Sequence, residues 1–266
     1  MRYLSLFLLA CAIAALTSCG QKAKSEFPSG DWVDLSHDFS EDTIYWVTAE
    51  PFTRTTVAEG VTDKGYYYSA YNFSAAEHGG THIDAPVHFA QGARSVDQLE
   101  PSQLIGPGVK IDVSPMAATN RDYLVTVDDF KQWEAANGKM PEWCIILLQT
   151  GFGKYWPDKK QYLGTDQKGP DAVKDLHFPG LDPAAAKWLV ENRKFKAIGL
   201  DTASIDYGQS TDFGSHVELM THNIPALENV ADLDRLPVKG FQIIALPMKI
   251  KGGSGAPLRI VAFVPR

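Results

Sequence analysis

The 266-residue sequence contains little cysteine. Its three cysteines are Cys11, Cys19 and Cys144, and the first two lie in the N-terminal segment. Cys144 is therefore the one thiol of the remaining chain, which excludes a disulfide framework. With 44% apolar and 21% charged residues, the composition is that of a globular protein that holds itself together by a hydrophobic core.

Positive charge is in the minority. Lys and Arg total 25 against 32 Asp and Glu, the formal net charge is −7, and the basic residues do not cluster. This excludes the basic surface of a nucleic-acid-binding protein. The sequence also has no G-x-S-x-G, Walker A or G-x-G-x-x-G motif, so nothing in it indicates a serine hydrolase, a P-loop protein or a dinucleotide-binding domain.

The N-terminus carries a hydrophobic run that is too short to span a bilayer. Leu4 to Leu16 follow Arg2 and number about 13 residues, whereas a spanning helix takes roughly 20. The run predicts the apolar region of a secretory signal. Leu16-Thr17-Ser18-Cys19-Gly20 resembles the lipobox of bacterial lipoproteins, in which the cysteine becomes a lipidated N-terminus. An ordinary cleavable signal peptide with a chance cysteine is the alternative.

These features predict the organisation of the chain. We interpret residues 1–19 as a lipoprotein signal peptide, residues 20–30 as a polar tether and residues 31–266 as one folded domain. Lipidated Cys19 would attach the protein to a membrane. Gln21 stands where an Asp would follow the cysteine, which favours the outer membrane. We therefore expect a cell-envelope lipoprotein at the periplasmic face of the outer membrane.

Strand-like and helix-like segments alternate after the tether. Runs of β-branched and aromatic residues predict strands at 32–36, 52–58, 66–73, 108–113, 143–149, 196–200, 241–247 and 258–264. Thr126 opens a helix that carries Phe130 and Trp133 on one face, and Asp182-Pro183 opens another. Because the first strands follow one another directly, we expect an α/β domain with a mixed sheet rather than a purely parallel one.

Three of the seven histidines fall in one window of 11 residues. Glu77 to Phe89 reads E-H-G-G-T-H-I-D-A-P-V-H-F and contains His78, His82, His88 and Asp84. If residues 81–84 are extended, His82 and Asp84 point to the same face. Imidazoles and a carboxylate without a thiolate suit Zn²⁺, and also Mn²⁺ or Fe²⁺, with coordination positions left open for catalysis. The pattern predicts a metal site formed by His78, His82 and Asp84.

The same residues resemble the signature of the metal-dependent cyclase family, which includes bacterial kynurenine formamidases and isatin hydrolases. The family motif is H-x-G-T-H-x-D-x-P-x-H, and it is matched in full by His78, Gly80, Thr81, His82, Asp84, Pro86 and His88. L-L-Q-T-G-F at 147–152, P-G-L at 179–181 and G-L-D-T-A-S-I-D at 199–206 also resemble family segments. The resemblance implies a barrel-like mixed sheet flanked by helices, the swivelling β/β/α fold of the family.

The resemblance also implies a second set of ligands. In the family these are a histidine and, about a dozen positions later, a glutamate, which His216 and Glu228 match here. It implies two divalent ions per site, Zn²⁺ or else Mn²⁺. His78 and His82 would bind one ion and His216 the other, with Asp84 and Glu228 shared. It further implies a homo-oligomer, a dimer in which the partner contributes to the pocket entrance.

His88 corresponds to the acid/base residue of the family, and the residue chemistry agrees. A histidine that does not ligate a metal keeps a pKa near 6.5 and can move protons. A role as a third ligand is the alternative. Trp46 stands where the family places an aromatic lid over the substrate, although Val47 and Thr48 replace the usual proline and glycine. Packing in the core is the alternative for Trp46.

The predicted function is hydrolysis of an aryl amide or cyclic amide by metal-activated water, with His88 as acid/base, as in the arylformamidases. Alternatives within this class are an isatin hydrolase-like enzyme and a lactone hydrolase or cyclase. An alternative of another class is a non-catalytic envelope lipoprotein that binds a metal or small ligand. We expect His37, His177 and His222 to be surface or hydrogen-bonded residues, and Asp201 and Asp206 to have supporting or structural roles.

Overall fold

The computed structural model describes residues 29–266. The predicted signal peptide, Cys19 and most of the predicted tether lie outside the described residues. Within residues 29–266, no helix combines the length and the apolar character needed to cross a membrane.

The chain forms twelve strands and six helices within this range. The strands are β1 (Gly30–Asp34), β2 (Thr53–Val61), β3 (Tyr67–Ser74), β4 (His82–Asp84), β5 (Ile105–Asp112), β6 (Leu124–Val125), β7 (Cys144–Gln149), β8 (Gly180–Leu181), β9 (Phe195–Leu200), β10 (Ala226–Glu228), β11 (Lys239–Pro247) and β12 (Gly255–Pro265). The helices are α1 (Pro101–Leu104), α2 (Ser114–Ala117), α3 (Val127–Asn137), α4 (Lys159–Leu163), α5 (Pro183–Asn192) and α6 (Gly214–Thr221). Short 3₁₀ turns cover Pro86–His88, Val96–Gln98, Phe152–Tyr155, Pro170–Asp175 and Leu233–Arg235.

The main sheet closes on itself. Its strand order is β1-β12-β11-β5-β7-β9-β10-β4, and β4 also pairs with the start of β12, so that seven strands form a ring and β1 extends it. Strands β5, β7, β9 and β10 run parallel to their neighbours in this series, whereas the remaining pairs are antiparallel. The prediction of an α/β domain with a mixed, barrel-like sheet is confirmed.

Strand β7 shows why the ring has two cores. Its sequence C-I-I-L-L-Q is buried almost throughout, as expected for a parallel strand covered on both faces. Successive side chains of a strand point to opposite faces. Ile145 and Leu147 accordingly pack inside the ring with Phe241 of β11, and Ile146 and Leu148 pack outside it, in the same core as the helices.

Helices α3 and α5 cover the outer face as predicted. The Thr126 N–H donates to Asp129 Oδ2 at 2.7 Å at the start of α3, and Phe130 and Trp133 are buried. The Asp182 carboxylate accepts a hydrogen bond from the Ala184 N–H at 2.8 Å at the start of α5. A capping side chain satisfies backbone N–H groups that the first helical turn leaves unpaired, so each helix begins where its cap stands.

The predicted strands all overlap observed ones, but several elements were not predicted. The unpredicted elements are β4, β6, β8, β10, α1, α2, α4 and α6. Strands β4 and β10 have three residues each and stand side by side between β9 and β12. These two short strands complete the ring.

Candidate metal centre

The two shortest strands of the ring bring ligand-type side chains from distant parts of the sequence together. Strands β4 and β10 are antiparallel, and Glu228 stands opposite His82 in their register. His82 and Asp84 alternate along β4 and therefore share one face, as the sequence predicted. All three residues are buried. Glu228 was unremarkable in the sequence because a lone glutamate is ordinarily solvated.

His78 reaches the same place from the bend that precedes β4. Its Nδ1 lies 2.6 Å from Asp84 Oδ1. The chain then turns at Gly80, whose φ of +58° lies in the left-handed region that favours glycine, and where a Cβ would come within 2.7 Å of the Phe39 ring. This tight turn explains the pair of glycines between His78 and His82.

His216 approaches from α6, where it is held by Asp206. The His216 ring places Nδ1 2.6 Å from Asp206 Oδ2, and its backbone N–H also donates to that carboxylate oxygen at 3.2 Å. The other ring nitrogen, Nε2, lies 3.1 Å from Asp84 Oδ2 and 3.2 Å from Glu228 Oε1. Asp206, expected to have a supporting role, thus orients the ring of His216.

The five side chains form two overlapping groups with metal-ligand spacing. In residues 29–266, the groups are His78, His82 and Asp84, and Asp84, His216 and Glu228, each with ligand atoms within 4.8 Å of one another. Asp84 belongs to both groups. Glu228 also borders both, since its Oε2 lies 3.4 Å from His82 Nε2. The structure therefore brings together all five residues that the sequence predicted as ligands.

The hydrogen-bonding pattern at His82 fits a cation. Its Nδ1 lies 2.9 Å from the Gly80 carbonyl, which can only accept, so Nδ1 carries a hydrogen and, in the neutral ring, Nε2 keeps its lone pair. Nε2 is buried, finds no hydrogen-bond partner within the described residues, and lies 3.1 Å from Asp84 Oδ1. A lone pair this close to a carboxylate oxygen is repelled unless a positive charge lies between them. The donor set of imidazole and carboxylate suits a divalent ion.

The pKa values of the buried site residues are shifted by burial and by their charged neighbours. Burial works against ionisation of Asp84, but His82 and His78 outweigh it and hold the pKa of this carboxyl well below its usual range. Burial and the neighbouring Asp84 raise the pKa of Glu228. Burial opposes charge on His82, yet the Asp84 and Glu228 carboxylates raise the pKa of His82 to about 9. The buried carboxylates thus favour positive charge in the space between them.

His88 belongs to neither group of ligand atoms among residues 29–266. Its ring stacks on His78, with centroids 3.9 Å apart, and lies 6.1 Å from the His216 centroid. Burial lowers the pKa of His88 to about 4. His88 is therefore a neutral imidazole at neutral pH, beside the two ligand groups.

A cavity of about 300 Å³ opens onto these residues. All five predicted ligands and His88 line the cavity together with aromatic side chains. The aromatic residues are Tyr45, Trp46, Phe89 and Phe213. Trp46 also packs against Phe178 in an edge-on contact at 6.4 Å. Both interpretations of Trp46 therefore describe part of its surroundings, since it lines the cavity and packs against the core. A planar apolar ligand would suit such a lining.

Comparison with known proteins agrees with this geometry. The model of the Cyclase family, described as "Putative cyclase", matches residues 33–207. The chain belongs to this family. It is 35% identical over 208 residues to an isatin hydrolase of Roseibium aggregatum, covering 75% of this chain and 76% of that protein. It is 27% identical over 237 residues to a kynurenine formamidase of Bacillus cytotoxicus, covering 88% and 97%.

Solved structures of the family share the fold. An isatin hydrolase A from Labrenzia aggregata, solved with benzyl benzoate, superposes with a TM-score of 0.80 at 32% identity, covering 89% of this chain and 94% of that one. The resemblance that the sequence motif indicated is confirmed.

The other histidines lie outside the two ligand groups. The His37 ring stacks on Trp156 with centroids 4.0 Å apart, and burial lowers the pKa of His37 to about 4. His177 Nδ1 lies 2.8 Å from Asp122 Oδ2, and His222 is exposed at the end of α6. His177 is hydrogen-bonded and His222 is exposed, as expected, whereas His37 is stacked and its buried Nε2 has no hydrogen-bond partner within the described residues.

Asp201 has a structural role. Its buried carboxylate accepts hydrogen bonds from the backbone N–H groups of Thr150, Gly151 and Gly153 and from the Thr150 hydroxyl. It therefore holds the turn that follows β7, in agreement with the expectation from the sequence.

Asn229 is a supporting residue that sequence reasoning missed. It follows Glu228 in a left-handed conformation, with φ of +51°, and its carboxamide donates to the Gly80 carbonyl at 2.7 Å. The same carboxamide accepts from the Tyr162 hydroxyl at 2.8 Å. Gly80 O is also the acceptor for His82 Nδ1. Asn229 thus links the orientation of His82 to the buried core. No local sequence pattern predicts this role.

We expect Asn229→Ala to lower the affinity for a divalent metal about tenfold, because such supporting contacts are typically worth 10–100-fold. It should also lower the free energy of unfolding by about 1–3 kcal/mol through the lost buried hydrogen bonds. Isothermal titration with Zn²⁺ and denaturant unfolding measure the two effects.

Asn223→Ala provides the matched control for this prediction. Asn223 has a φ of +58° and bonds to Arg94, away from the ligand groups. Its replacement should reduce stability and leave metal affinity unchanged. Equal metal affinities for the two variants would contradict the link from Asn229 to His82.

Proposed function

We propose that the protein is a metal-dependent hydrolase of an aryl amide or cyclic amide, acting on C–N bonds other than peptide bonds. The observation that carries the proposal is the pair of ligand groups sharing Asp84, with the non-ligating imidazole of His88 beside them. A site that only stored a metal would have no use for a neutral histidine next to its ligands. The names of the relatives, isatin hydrolase and kynurenine formamidase, support the same class of reaction.

Within this class we propose a cyclic aryl amide resembling isatin as the first substrate to test. Support comes from the 35% identity to an isatin hydrolase, against 27% to a kynurenine formamidase. The aromatic lining of the cavity by Tyr45, Trp46, Phe89 and Phe213 favours a planar ring. Open-chain aryl formamides and lactones are the substrates to compare with it.

We propose two divalent ions per site, Zn²⁺ or Mn²⁺, held by His78, His82, Asp84, His216 and Glu228. Bound cations would polarise the amide carbonyl and lower the pKa of a water molecule. The carboxylates of Asp84 and Glu228, which border both groups, would compensate their charge. The burial of these side chains keeps the compensating charges out of bulk water, where electrostatic interactions are weak.

His88 carries the proton transfers in this proposal. Because burial leaves its imidazole neutral at pH 7, it can take a proton from the attacking water. It then returns the proton to the nitrogen that leaves as the C–N bond breaks. A formamide would yield formate and an arylamine, and a cyclic amide would open to an amine and a carboxylate on the same molecule.

We expect His88→Ala to lower the rate of amide hydrolysis by about 10²–10⁴, the usual contribution of general acid–base catalysis. Metal content should stay unchanged, because His88 is not one of the ligands. Metal analysis and turnover of isatin, a formanilide and a lactone by the Zn²⁺- and Mn²⁺-loaded proteins measure both.

His222→Ala is the control, since His222 is exposed and lies outside the ligand groups. It should match the wild type in metal content and rate. If His88→Ala kept both its metal and its full rate, the protein would be a binding protein rather than a hydrolase.

We propose that the protein is a homodimer. Strands β2 and β3 and the turn between them form a separate hairpin that exposes large apolar side chains; these are Val57, Val61, Tyr66, Tyr67, Tyr68 and Phe73. An isolated hairpin of two strands is marginally stable in water, and an apolar surface of this kind is typical of an interface.

Light scattering of the wild type should give twice the chain mass, and replacing Tyr67 and Phe73 by Ser should shift the measured mass toward that of one chain. A monomeric wild type would contradict the proposal.

We propose that Cys19 is lipidated and holds the protein at the periplasmic face of the outer membrane. The support is the Leu16–Gly20 sequence, which ends a short apolar run.

After expression in a Gram-negative host, the wild type should fractionate with outer membranes, and Cys19→Ser should not be lipidated. Cys11→Ser serves as the control. Identical soluble fractions for all three proteins would contradict lipid attachment.

A further inference from the structure

We propose that Glu77 and Ser254 are positioning residues that select which ring nitrogen of His78 faces the metal centre. The relay runs from the Glu77 carboxylate through the Ser254 hydroxyl to His78 Nε2, which leaves Nδ1 for the metal. This inference rests on the proposed metal site and concerns two residues for which the sequence predicted no role.

The Glu77 carboxylate determines the direction of the relay. Its Oε2 accepts three hydrogen bonds, from the Ser254 N–H at 2.9 Å, the Gly255 N–H at 3.2 Å and the Ser254 hydroxyl at 2.8 Å. A carboxylate can only accept hydrogen bonds, and a serine hydroxyl has one hydrogen to donate. The hydrogen of Ser254 is therefore directed to Glu77.

The direction of this bond decides the state of His78. Ser254 Oγ lies 2.8 Å from His78 Nε2 and, with its hydrogen used, can only accept there. His78 Nε2 must then carry the ring hydrogen, and in the neutral ring Nδ1 is left with its lone pair. Nδ1 lies 2.6 Å from Asp84 Oδ1, within the first group of ligand atoms.

The backbone around Ser254 fits the ring closely. A Cβ on Gly255 would lie 2.6 Å from His78 Cε1 and 2.9 Å from Nδ1, so the ring rests directly on this glycine. The first residue of β12 thus supplies the surface that supports the ring, and Ser254, immediately before it, supplies the acceptor that fixes its tautomer.

The other two histidines have the opposite orientation. His82 directs Nδ1 to the Gly80 carbonyl, and His216 directs Nδ1 to Asp206, so each presents Nε2 to the carboxylates. The hydrogen-bonding partner on the far side of a ligating histidine sets its tautomer. His78 differs because its far-side partner lies beyond Nε2, which predicts a mixed set of one Nδ1 and two Nε2 ligands.

Long-range ¹H–¹⁵N spectra of the histidine rings in the Zn²⁺-loaded wild type test the tautomers directly. The expected result is Zn²⁺ on Nδ1 with the hydrogen on Nε2 for His78, and the reverse for His82 and His216. Loss of packing would not produce this pattern. Zn²⁺ bound to Nε2 of His78 would overturn the inference.

Ser254→Ala tests the relay through affinity. It removes the acceptor for His78 Nε2, and the dissociation constant for Zn²⁺ should rise about 10–100-fold, as for other partners of metal ligands. In the same variant the spectra should show that the His78 hydrogen is no longer confined to Nε2.

Ser36→Ala is the matched control. The Ser36 hydroxyl makes two hydrogen bonds to the backbone of Ile260 in β12, away from the metal centre. Its loss should leave Zn²⁺ affinity unchanged. Equal affinities for Ser254→Ala and Ser36→Ala would overturn the relay alone, whereas a wild type that binds no Zn²⁺ would overturn the metal site and the relay together.

Discussion

The Asp84 carboxylate is buried between three imidazole rings, and the surrounding structure depends on keeping it there. Its two oxygens lie within 3.1 Å of nitrogen atoms of His78, His82 and His216. An unpaired buried carboxylate is costly, so this arrangement is stable only when positive charge is held between the groups. Strand β4 carries Asp84 and is paired on both sides, with β10 and β12. The closure of the barrel and the formation of the metal centre are thus the same structural event.

The elements around the centre supply hydrogen-bond acceptors that determine which ring nitrogen of each ligand histidine carries the hydrogen. A backbone carbonyl, a carboxylate and a serine hydroxyl each occupy the side of one ring that faces away from Asp84. These three acceptors come from the turn before β4, from the segment before α6 and from the segment before β12. Each histidine is therefore oriented before any metal binds, which reduces the cost of ordering the ligands on binding. His88 has no such acceptor among the hydrogen bonds described and stays beside the ligands as a neutral ring.

Much of the fold could be predicted from the local sequence pattern. The long strands were found because their apolar runs are continuous enough to distinguish them from helices, and α3 and α5 were found because Thr126 and Asp182 mark their first turns. Strands β4 and β10 were missed because three residues are too few to show a period. Helix α6 has no capping side chain at its N-cap residue, Phe213. Its first backbone N–H groups bond to Asp206 instead, which lies too far back in the chain to mark the start of the helix.

The sequence by itself determined the first group of ligand residues, because His78, His82 and Asp84 lie within seven positions and an extended chain places the last two on one face. His216 and Glu228 could be named only through the family resemblance, since more than a hundred residues separate them from that group. The tertiary structure alone decided that these side chains meet, and that Asn229, Ser254 and Glu77 support them. Ring closure juxtaposes segments that are remote in the chain, and hydrogen-bond direction depends on atoms whose neighbours a linear sequence does not specify.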